Sequence, residues 1–338
     1  MRPEHLAYLV CPACRNTLLL RDGAMREEHV DSGRLYCATC NRHYPITNAI
    51  PRFVSLDNYA SGFGFQWNKH YLTQYDSFTG LPLSETRFFS ETQWPRNLTG
   101  EIILEAGCGS GRFTPHAADT GAMVISFDYS SAVEACYAQN GHRPNVLVIQ
   151  ADIFRPPFPD KMFDKIFCFG VLQHTPNPRE AFLALPPLLK PGGEIVIDVY
   201  KRNRISKFIS FTPAPPTKYY VRPFTVKLPP ATLYFWIERY IGAVWPLSQV
   251  IRRIPVVGRN INWMILIADH SNLDLRESVQ KQWAILNTFD MLSPRYDIPQ
   301  HITEVKRWLD MTPLITKQVK YGYNGIVAKG VAPPQKEP

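Results

Sequence analysis

The sequence lacks any run of about 18 uncharged apolar residues, so we expect no helix that spans a membrane. The apolar stretch near the N-terminus, LAYLV, is too short for a secretory signal peptide, and we therefore expect a cytoplasmic protein. Cysteine is scarce and odd in number. Four of the seven cysteines fall in two C-x-x-C pairs, which favours a metal site in a reducing compartment over disulfides.

Acidic residues are nearly missing from one part of the chain. The formal net charge is +8, but residues 201–260 hold eleven Lys or Arg and a single acid, Glu238, for a local charge of +10. The rest of the chain then carries −2, so we expect any strong attraction to anions to belong to this segment. Prolines are abundant, 30 in 338 residues or about 9% against a usual 5%, which predicts many loops and short helices.

A glycine-rich loop stands at the centre of the sequence and lacks one feature of a dinucleotide-binding loop. Residues 102–113, IILEAGCGSGRF, predict a buried strand, a glycine turn and the start of a helix. Arg112 occupies the third glycine position of the dinucleotide pattern. Glu105 would repel a pyrophosphate but could pair with an ammonium group. By itself the loop could also be a structural turn.

Further apolar runs end in residues suited to bind a ligand. The run at 124–128 ends in Asp128, one predicted strand–helix unit after Glu105, where a carboxylate can bind the hydroxyls of a ribose. The run at 146–152 ends in Asp152, which can accept a hydrogen bond from an adenine amino group. The pattern therefore indicates a nucleoside-binding edge of a parallel sheet.

Two more strands are predicted, at 164–170 and, after a turn at 190–193, at 195–198. The succession LEAGCGSGRF, FDYS, QADIFRPPFPDKMFD, GVLQHTPNPREAF and LLKPGGEIVI, within 101–200, resembles the ordered motifs of class I S-adenosylmethionine-dependent methyltransferases (type 11/12-like). The resemblance implies an α/β fold, with a Rossmann-like sheet of seven strands and helices on both faces. S-adenosylmethionine (SAM) would lie across the carboxyl ends of the strands.

The resemblance also implies which residues bind the cofactor. The methionine moiety would be held by the loop residues Glu105, Gly107, Gly109 and Gly111. Asp128 would bind the ribose, and Asp152 with Ile153 would bind the adenine. Gly170 would form the floor of the pocket.

His174, in the segment VLQHT after the fourth predicted strand, is the candidate for proton transfer. In this fold the position faces the transferred methyl group, and an imidazole there could take a proton from an attacking hydroxyl or amine near neutral pH. It could instead shape the pocket, because many methyl transfers need little beyond alignment. The Asp/Asn-Pro-Pro-aromatic signature of exocyclic amino methylation on DNA is missing here.

The N-terminal segment, 1–54, predicts a metal-binding module. The two C-x-x-C pairs, at 11–14 and 37–40, can supply four thiolates to one structural, tetrahedral zinc ion: Cys11, Cys14, Cys37 and Cys40. Turn signals at 22–23 and 32–33 indicate short strands between the pairs. The segment resembles the zinc ribbon that is fused to, or partners, some methyltransferases, although Ala49 stands where that family usually has glycine.

A linker rich in aromatic residues follows the module. Four of its side chains could line a pocket or could pack the linker onto the main domain: Phe63, Phe65, Trp67 and Tyr71. A helix predicted from Ser84 resembles the helix that lies over the cofactor site in this methyltransferase group. The linker and this helix together add three candidate site residues: Gln66, Trp67 and Arg87.

A long insertion, 201–312, separates the fifth and sixth predicted strands, where the simple fold has one helix. We therefore predict a substrate cap that contains an apolar helix at 231–250, followed by Arg252 and Arg253. Apolar surface beside basic residues suits a membrane interface or a lipid-linked anionic substrate. It also suits RNA, or a cap helix with a solvated basic face. The motif at 290–297, DMLSPRYD, could reach the site or form a structural turn.

The sequence thus predicts five segments: a zinc ribbon (1–54), a linker with its helix (55–100), a SAM-binding core (101–200), a cap insertion (201–312) and a closing hairpin with a tail (313–338). The expected activity is in-line transfer of a methyl group from SAM to a small-molecule or lipid-linked metabolite. The motifs FGFQWN and TFDMLSPRYD resemble a group of bacterial methyltransferases of this layout, which does not fix the substrate. The basic segment at 201–260 adds peripheral membrane contact as an expectation.

Two alternatives stay open. A zinc module ahead of this fold also resembles a bacterial ribosomal-RNA guanine methyltransferase, although the last ligand there is typically histidine rather than Cys40. An RNA base would then be the acceptor. The second alternative is a SAM-binding adaptor that docks a partner through its zinc ribbon and has no turnover.

Overall fold

The computed structural model describes residues 1–202 and 217–335. Residues 203–216, part of the predicted cap and basic segment, and residues 336–338, the end of the predicted tail, lie outside the described residues. The described chain forms a four-stranded sheet near the N-terminus and a seven-stranded sheet after it.

The N-terminal sheet is antiparallel, with its strands in chain order: β1 (Leu19–Arg26), β2 (His29–Tyr36), β3 (His43–Thr47) and β4 (Ile50–Pro51). The turns predicted at 22–23 and 32–33 are wrong, because both pairs of residues lie inside β1 and β2. Asp22 has a φ of 52°, and the pairing shifts register between Arg21 and Ala24, so Asp22 and Gly23 form a bulge and not a chain reversal. Ser32 and Gly33 continue β2 and pair with Ala24 and Ile46.

Three helices connect this sheet to the central one: α1 (Ser61–Lys69), α2 (Asp76–Thr79) and α3 (Leu83–Thr92). The helix predicted from Ser84 is therefore present as α3. Phe88 of α3 is fully buried and contacts the ring of Phe167, a residue of the central sheet, at a centroid distance of 5.2 Å. The linker is thus packed onto the core.

The central sheet has the strand order β10-β11-β9-β8-β5-β6-β7. Its strands are β5 (Ile102–Ala106), β6 (Met123–Asp128), β7 (Val146–Gln150), β8 (Phe163–Phe169), β9 (Leu189–Val199), β10 (Ile315–Gly322) and β11 (Gly325–Val331). Strands β5 to β9 are parallel, whereas β11 pairs antiparallel with β9 and β10. The predicted α/β fold class with a seven-stranded sheet is confirmed.

Both faces of this sheet are covered, which explains the continuous apolar runs in its strands. Ile103 and Leu104 are adjacent and fully buried, but they belong to two different apolar clusters. The cluster around Ile103 includes residues of α3 and of the helices α4 (Thr114–Ala118) and α5 (Val133–Asn140). The cluster around Leu104 includes residues of α6 (Pro178–Leu183) and of Ile302–Asp310, the helix before β10.

The turn predicted at 190–193 is wrong, since these residues belong to β9. Strand β8 pairs Phe163 with Leu189 and then Lys165 with Glu194, so β9 accommodates three extra residues as a bulge. Gly192 has a φ of 79° there, a conformation that glycine adopts without strain.

Four helices form the described part of the cap: α7 (Thr217–Thr225), α8 (Pro230–Ile251), α9 (Gly258–Met264) and α10 (Glu277–Leu292). The helix predicted at 231–250 is confirmed as α8, and the helix at Ile302–Asp310 is α11. The cap has its own apolar cluster, which includes Ile237, Ile241 and Phe289. Helix α8 packs along α10 and contacts α1, so the cap rests on the helix that leads into the core.

The N-terminal module is attached to the edge of the central sheet at β7. The amide of Phe53 donates to the carbonyl of Gln150 over 2.8 Å, and Nη1 of Arg52 donates to Oε1 of the same residue over 3.0 Å. The amide of Val10 donates to the carbonyl of Pro157 over 2.9 Å. The module therefore lies against the segment that follows β7.

Candidate active site

A cavity of about 880 Å³ lies between the carboxyl ends of the central strands and the cap. The core contributes five of the residues nominated from sequence: Gly107, Gly109, Asp128, Ile153 and Gly170. His174 also lines the cavity, and the cap adds Arg259, Trp263, Trp283, Asn287 and Asp290. Pockets for one drug-sized ligand span about 300–1,000 Å³, so this one is near the upper end of that range.

The glycine loop begins where β5 ends, and its backbone needs residues without a side chain. Gly107 has a φ of 81°, and a Cβ atom built there would lie 2.3 Å from Cγ2 of Val171. The amide of Gly109 donates to Oδ2 of Asp128 over 3.0 Å, which ties the loop to the end of β6. The loop therefore presents bare backbone to the cavity.

Asp128 ends β6 with its carboxylate held in place. Oδ1 accepts hydrogen bonds from the amide and the hydroxyl of Ser130, at 2.8 and 2.7 Å. Burial raises the pKa of Asp128, and the hydrogen bonds from Ser130 and Gly109 oppose that rise. This carboxylate lines the cavity and is positioned to accept from ligand hydroxyls.

Glu105 and Gly111 lie behind the loop and not on the cavity wall. Oε2 of Glu105 accepts from the hydroxyls of Thr114 and Ser126 over 2.6 and 2.7 Å, and burial raises the pKa of Glu105 to about 7. A Cβ atom on Gly111 would lie 2.6 Å from Sγ of Cys136. This geometry favours support of the loop over direct contact with a ligand.

The predicted adenine-binding end divides in a similar way. Ile153 lines the cavity, whereas Asp152 is half-buried and accepts from the amide of Phe154 over 3.0 Å. Two aromatic residues that were not predicted from the sequence, Tyr59 and Tyr129, also line this end of the cavity. Their rings stack at a centroid distance of 4.7 Å. Tyr129 directly follows Asp128, a neighbourhood that could have singled it out.

His174 is nearly buried and packed between aromatic rings. The ring centroids of Phe63 and Tyr200 lie 4.9 and 5.4 Å from its own. Its Nδ1 lies 3.0 Å from the carbonyl oxygen of Tyr296. A carbonyl only accepts, so the neutral ring carries its proton on Nδ1 and leaves Nε2 as the basic atom.

Asp290, at the end of α10, brings a second titratable group from the cap to the cavity. Nε2 of Gln66 lies 3.5 Å from its Oδ1. Burial raises the pKa of Asp290, while the charge interaction with His174 opposes the rise. Of the two outcomes left open for the motif at 290–297, the structure thus favours reaching the site.

Some aromatic side chains of the linker line the cavity, and others pack against the rest of the protein. Phe63 and Trp67 line the cavity, whereas Phe65 packs against Tyr234 and Phe289 of the cap and Tyr71 is exposed. Gln66 and Arg87 also line the cavity. Arg87 is buried in an ion pair with Asp198 at the end of β9.

The four cysteines of the N-terminal module form one cluster. Their Sγ atoms all lie within 4.8 Å of one another, with 3.6 Å between Cys11 and Cys40 and 3.4 Å between Cys14 and Cys37. Four thiolates at about 2.3 Å around a tetrahedral zinc ion would be separated by about 3.8 Å, so the donor set fits a metal ion of this kind. The hydroxyl oxygen of Tyr44 lies 3.2 Å from Sγ of Cys11.

Within residues 1–202 and 217–335, no helix is both long enough and apolar enough to cross a bilayer. This agrees with the sequence, which lacks such a run. The cytoplasmic location expected from the sequence stays a prediction.

Two family models match the chain. Residues 104–197 match the model described as a methyltransferase domain, and residues 2–48 match the Trm112p-like protein model. The first range holds the glycine loop, Asp128 and His174, and the second holds all four clustered cysteines.

Two methyltransferases match part of the sequence of this chain. It is 24% identical over 233 residues to an uncharacterized chloroplastic methyltransferase of Arabidopsis thaliana, covering 60% of this chain and 64% of the relative. It is 29% identical over 111 residues to a ubiquinone biosynthesis O-methyltransferase of Dechloromonas aromatica (strain RCB), covering 32% of this chain and 47% of that protein. The chain thus spans less than two thirds of the length of either relative.

One similar solved structure is a chain of a complex that contains the Haloferax volcanii Trm112 methyltransferase activator. The TM-score is 0.46 at 11% sequence identity, with 82% of this chain and 100% of that chain covered.

Proposed function

We infer that this chain, which joins a class I methyltransferase domain to a Trm112p-like zinc-ribbon module, transfers the methyl group of SAM to a small-molecule or lipid-linked metabolite. One observation carries the inference. A single cavity is lined by the glycine loop and Asp128 together with His174 and Asp290. A methyl donor and an acceptor could therefore meet in one cavity.

The cofactor would be held by the residues that end the parallel strands. The backbone at Gly107 and Gly109 would bind the methionine end. Glu105 and Gly111 would fix the loop from behind.

The nucleoside would lie farther along the same edge of the sheet. Asp128 would bind the ribose, and the adenine would lie near Ile153, Asp152 and the stacked pair Tyr59 and Tyr129. Gly170 would form the floor, since a Cβ atom there would meet only Nδ2 of Asn324, at 3.6 Å.

SAM supplies an activated methyl group on a sulfonium centre. The residues of this chain would align the acceptor and remove its proton. Nε2 of His174 would take the proton from an attacking hydroxyl or amine, and the buried carboxyl of Asp290 would steady the imidazolium that forms. The cap would exclude water from the cavity.

The lining of the cavity supports an anionic acceptor with an apolar or aromatic body. Arg112 and Arg259 bring positive charge to the wall, whereas the charge of Lys218 is paired with Asp297 at 2.7 Å. Trp263 and Trp283 bring apolar surface. Burial lowers the pKa of Arg112 to about 10, which still leaves it charged at neutral pH. The relatives named ubiquinone biosynthesis O-methyltransferase support a hydroxyl as the methylated group.

The cysteine cluster would hold zinc through Cys11, Cys14, Cys37 and Cys40. Four thiolates leave no open coordination position, so the metal would stabilise the module and take no part in the reaction. Nη1 of Arg15, next to the first cysteine pair, donates to the carbonyl of Pro156 over 3.0 Å. The module would thereby brace the segment that carries Asp152 and Ile153.

The proposal is tested by offering purified protein SAM with a labelled methyl group and three acceptor preparations: a small-molecule metabolite extract, a lipid extract and total RNA. Label in a metabolite or a lipid is the expected result. Label in RNA would instead favour the RNA base methyltransferase. Tight SAM binding without label in any fraction would favour the adaptor and overturn the proposal.

A further inference from the structure

Helix α8 carries apolar residues on two faces, one buried and one exposed, whose centres lie about 100° apart around the helix. One face, with Leu233, Ile237 and Ile241, is buried in the cap. The other face, which we name the outer stripe, is exposed and consists of Trp236, Tyr240, Ala243, Leu247 and Val250. A packed helix of a globular domain normally turns polar residues to solvent on that side. Apart from Tyr240, whose hydroxyl donates to the carbonyl of Ile265, the outer stripe therefore lacks an explanation in the fold.

The outer stripe is continuous. Its members recur at alternating intervals of four and three residues, which at about 3.6 residues per turn keeps them on one line about 21 Å long. Its four large side chains are between 39% and 60% exposed. Beyond the end of α8, Ile254 and Val256 are exposed as well, and Val256 is 94% exposed.

Positive charge lies beside the outer stripe, and the one nearby acid faces away from it. At about 100° per residue, Arg239 is about 60° around the helix from Trp236, whereas Glu238 is about 160° away. Arg253, next to Ile254, and Lys227, just before α8, are exposed as well. Glu238 is the single acid between residues 217 and 260.

This arrangement distinguishes between two occupants. An isologous pair of copies packed along the stripe would bring the same positive flank of each copy against the other. Anionic lipid headgroups would pair with those charges while the apolar side chains enter the acyl boundary. No described helix can cross a bilayer, so α8 would lie in the plane of the interface.

We propose that the outer stripe of α8, with Ile254 and Val256, docks this protein on the surface of an anionic lipid bilayer. Docking does not depend on the proposed methyl transfer.

The two helices next to α8 connect this surface to the cavity. In α7, Lys218 and Tyr219 line the cavity, and Tyr219, Tyr220 and Phe224 are exposed. In α9, Arg259 and Trp263 line the cavity, whereas Met264 is exposed. If the proposed function holds, an acceptor carried in the bilayer would reach the site past these two helices.

The test is flotation of the full-length protein with vesicles, without cofactor or acceptor. Vesicles of phosphatidylcholine with phosphatidylglycerol are compared with phosphatidylcholine alone, at low and high salt. The wild-type chain is expected to bind the anionic vesicles at least ~10-fold more tightly at low salt. The triple variant Trp236→Gln, Leu247→Gln, Val250→Gln is expected to lose ~10-fold or more of that affinity.

The matched control changes three exposed apolar residues elsewhere, Met25→Gln, Leu56→Gln and Met311→Gln, and is expected to bind like the wild type. Circular dichroism checks that both triple variants are folded. Equal binding to both vesicle types, or an outer-stripe variant that binds like the wild type, would overturn the proposal. So would a dimer in sedimentation that the outer-stripe variant dissociates, because the occupant would then be a second copy.

Discussion

Nδ1 of His174 and the carbonyl oxygen of Tyr296 are 3.0 Å apart, although the two residues are 122 positions apart in sequence. His174 follows a central strand, and Tyr296 follows the last helix of the cap. The hydrogen bond therefore fixes the tautomer of a core side chain through the cap. A change in the position of the cap would also change the orientation of the candidate base.

Replacing His174 by alanine should reduce turnover and spare cofactor binding. Loss of a general base costs about 10²–10⁴-fold in rate. SAM affinity should stay within about twofold, because the ring acts on the acceptor and not on the cofactor. Single-turnover kinetics and titration calorimetry measure the two effects. His142→Ala, at an exposed position, is the control. Normal turnover in the His174 variant would reduce its role to pocket shape.

Asp128→Asn should weaken SAM binding by about 10- to 100-fold, since hydrogen bonds to a charged acceptor contribute about 1.5–3 kcal/mol. Calorimetric titration gives the affinity directly. Asp119→Asn removes a carboxylate from an exposed ion pair with Arg143 and should leave binding unchanged. The Tm of each variant separates loss of binding from loss of fold. An unaltered affinity in the Asp128 variant would refute the ribose assignment.

Cys37→Ser should remove zinc and unfold the N-terminal module, because a serine hydroxyl is a poor replacement for a thiolate ligand. Metal content by mass spectrometry and proteolysis within the segment 1–54 report the two effects. Cys136→Ala is the comparison, since this cysteine is buried in the core and outside the cluster. One zinc ion per chain retained in the Cys37 variant would rule out a four-thiolate site.

Glu105 should make the protein less stable as pH rises from about 4.5 to about 7. Burial raises the pKa of its carboxyl from 4.5 to about 7 in the folded state. A group of this kind stabilises the fold most below its unfolded pKa, and that contribution is lost as pH rises through the folded pKa. The shift corresponds to about 3 kcal/mol at most.

Glu105→Gln can still accept from Thr114 and Ser126 and should flatten this dependence. Denaturant unfolding at several pH values measures it. Part of the slope should remain, because burial also raises the pKa of Glu91 to about 7. The exposed Glu180→Gln serves as the control. A slope that the Glu105 change leaves intact would show that another group sets it.

Local patterns were enough to predict the central sheet. Continuous apolar runs and glycines at fixed spacing predict β5 to β8. A strand that is buried on both faces is apolar at successive positions, so its sequence stands out as one continuous apolar run. The four clustered cysteines were predictable for a similar reason, since ligand spacing within each C-x-x-C pair is a local property. The turns at 22–23 and 190–193 were mispredicted, because a bulge and a turn use the same residue types. The turn at 32–33 was mispredicted because Ser32 and Gly33 are paired within the sheet as part of β2.

The assembly of the cavity was decided by contacts between distant parts of the chain. The sequence nominated His174 and Asp128 but could not show that Tyr296 holds His174 or that Glu105 stays behind the loop. The sequence could not show which aromatic side chains of the linker line the cavity. In the structure, Phe63 and Trp67 line the cavity and Phe65 packs into the cap.

The sequence by itself therefore determined the elements of this protein and the chemistry of its ligand-type residues. Only the tertiary structure decided which of those residues share one cavity and which apolar face of α8 meets solvent. The physical reason is that strand and loop patterns are encoded by neighbours in the chain. Burial and orientation of a side chain depend instead on what the cap and the N-terminal module bring against it.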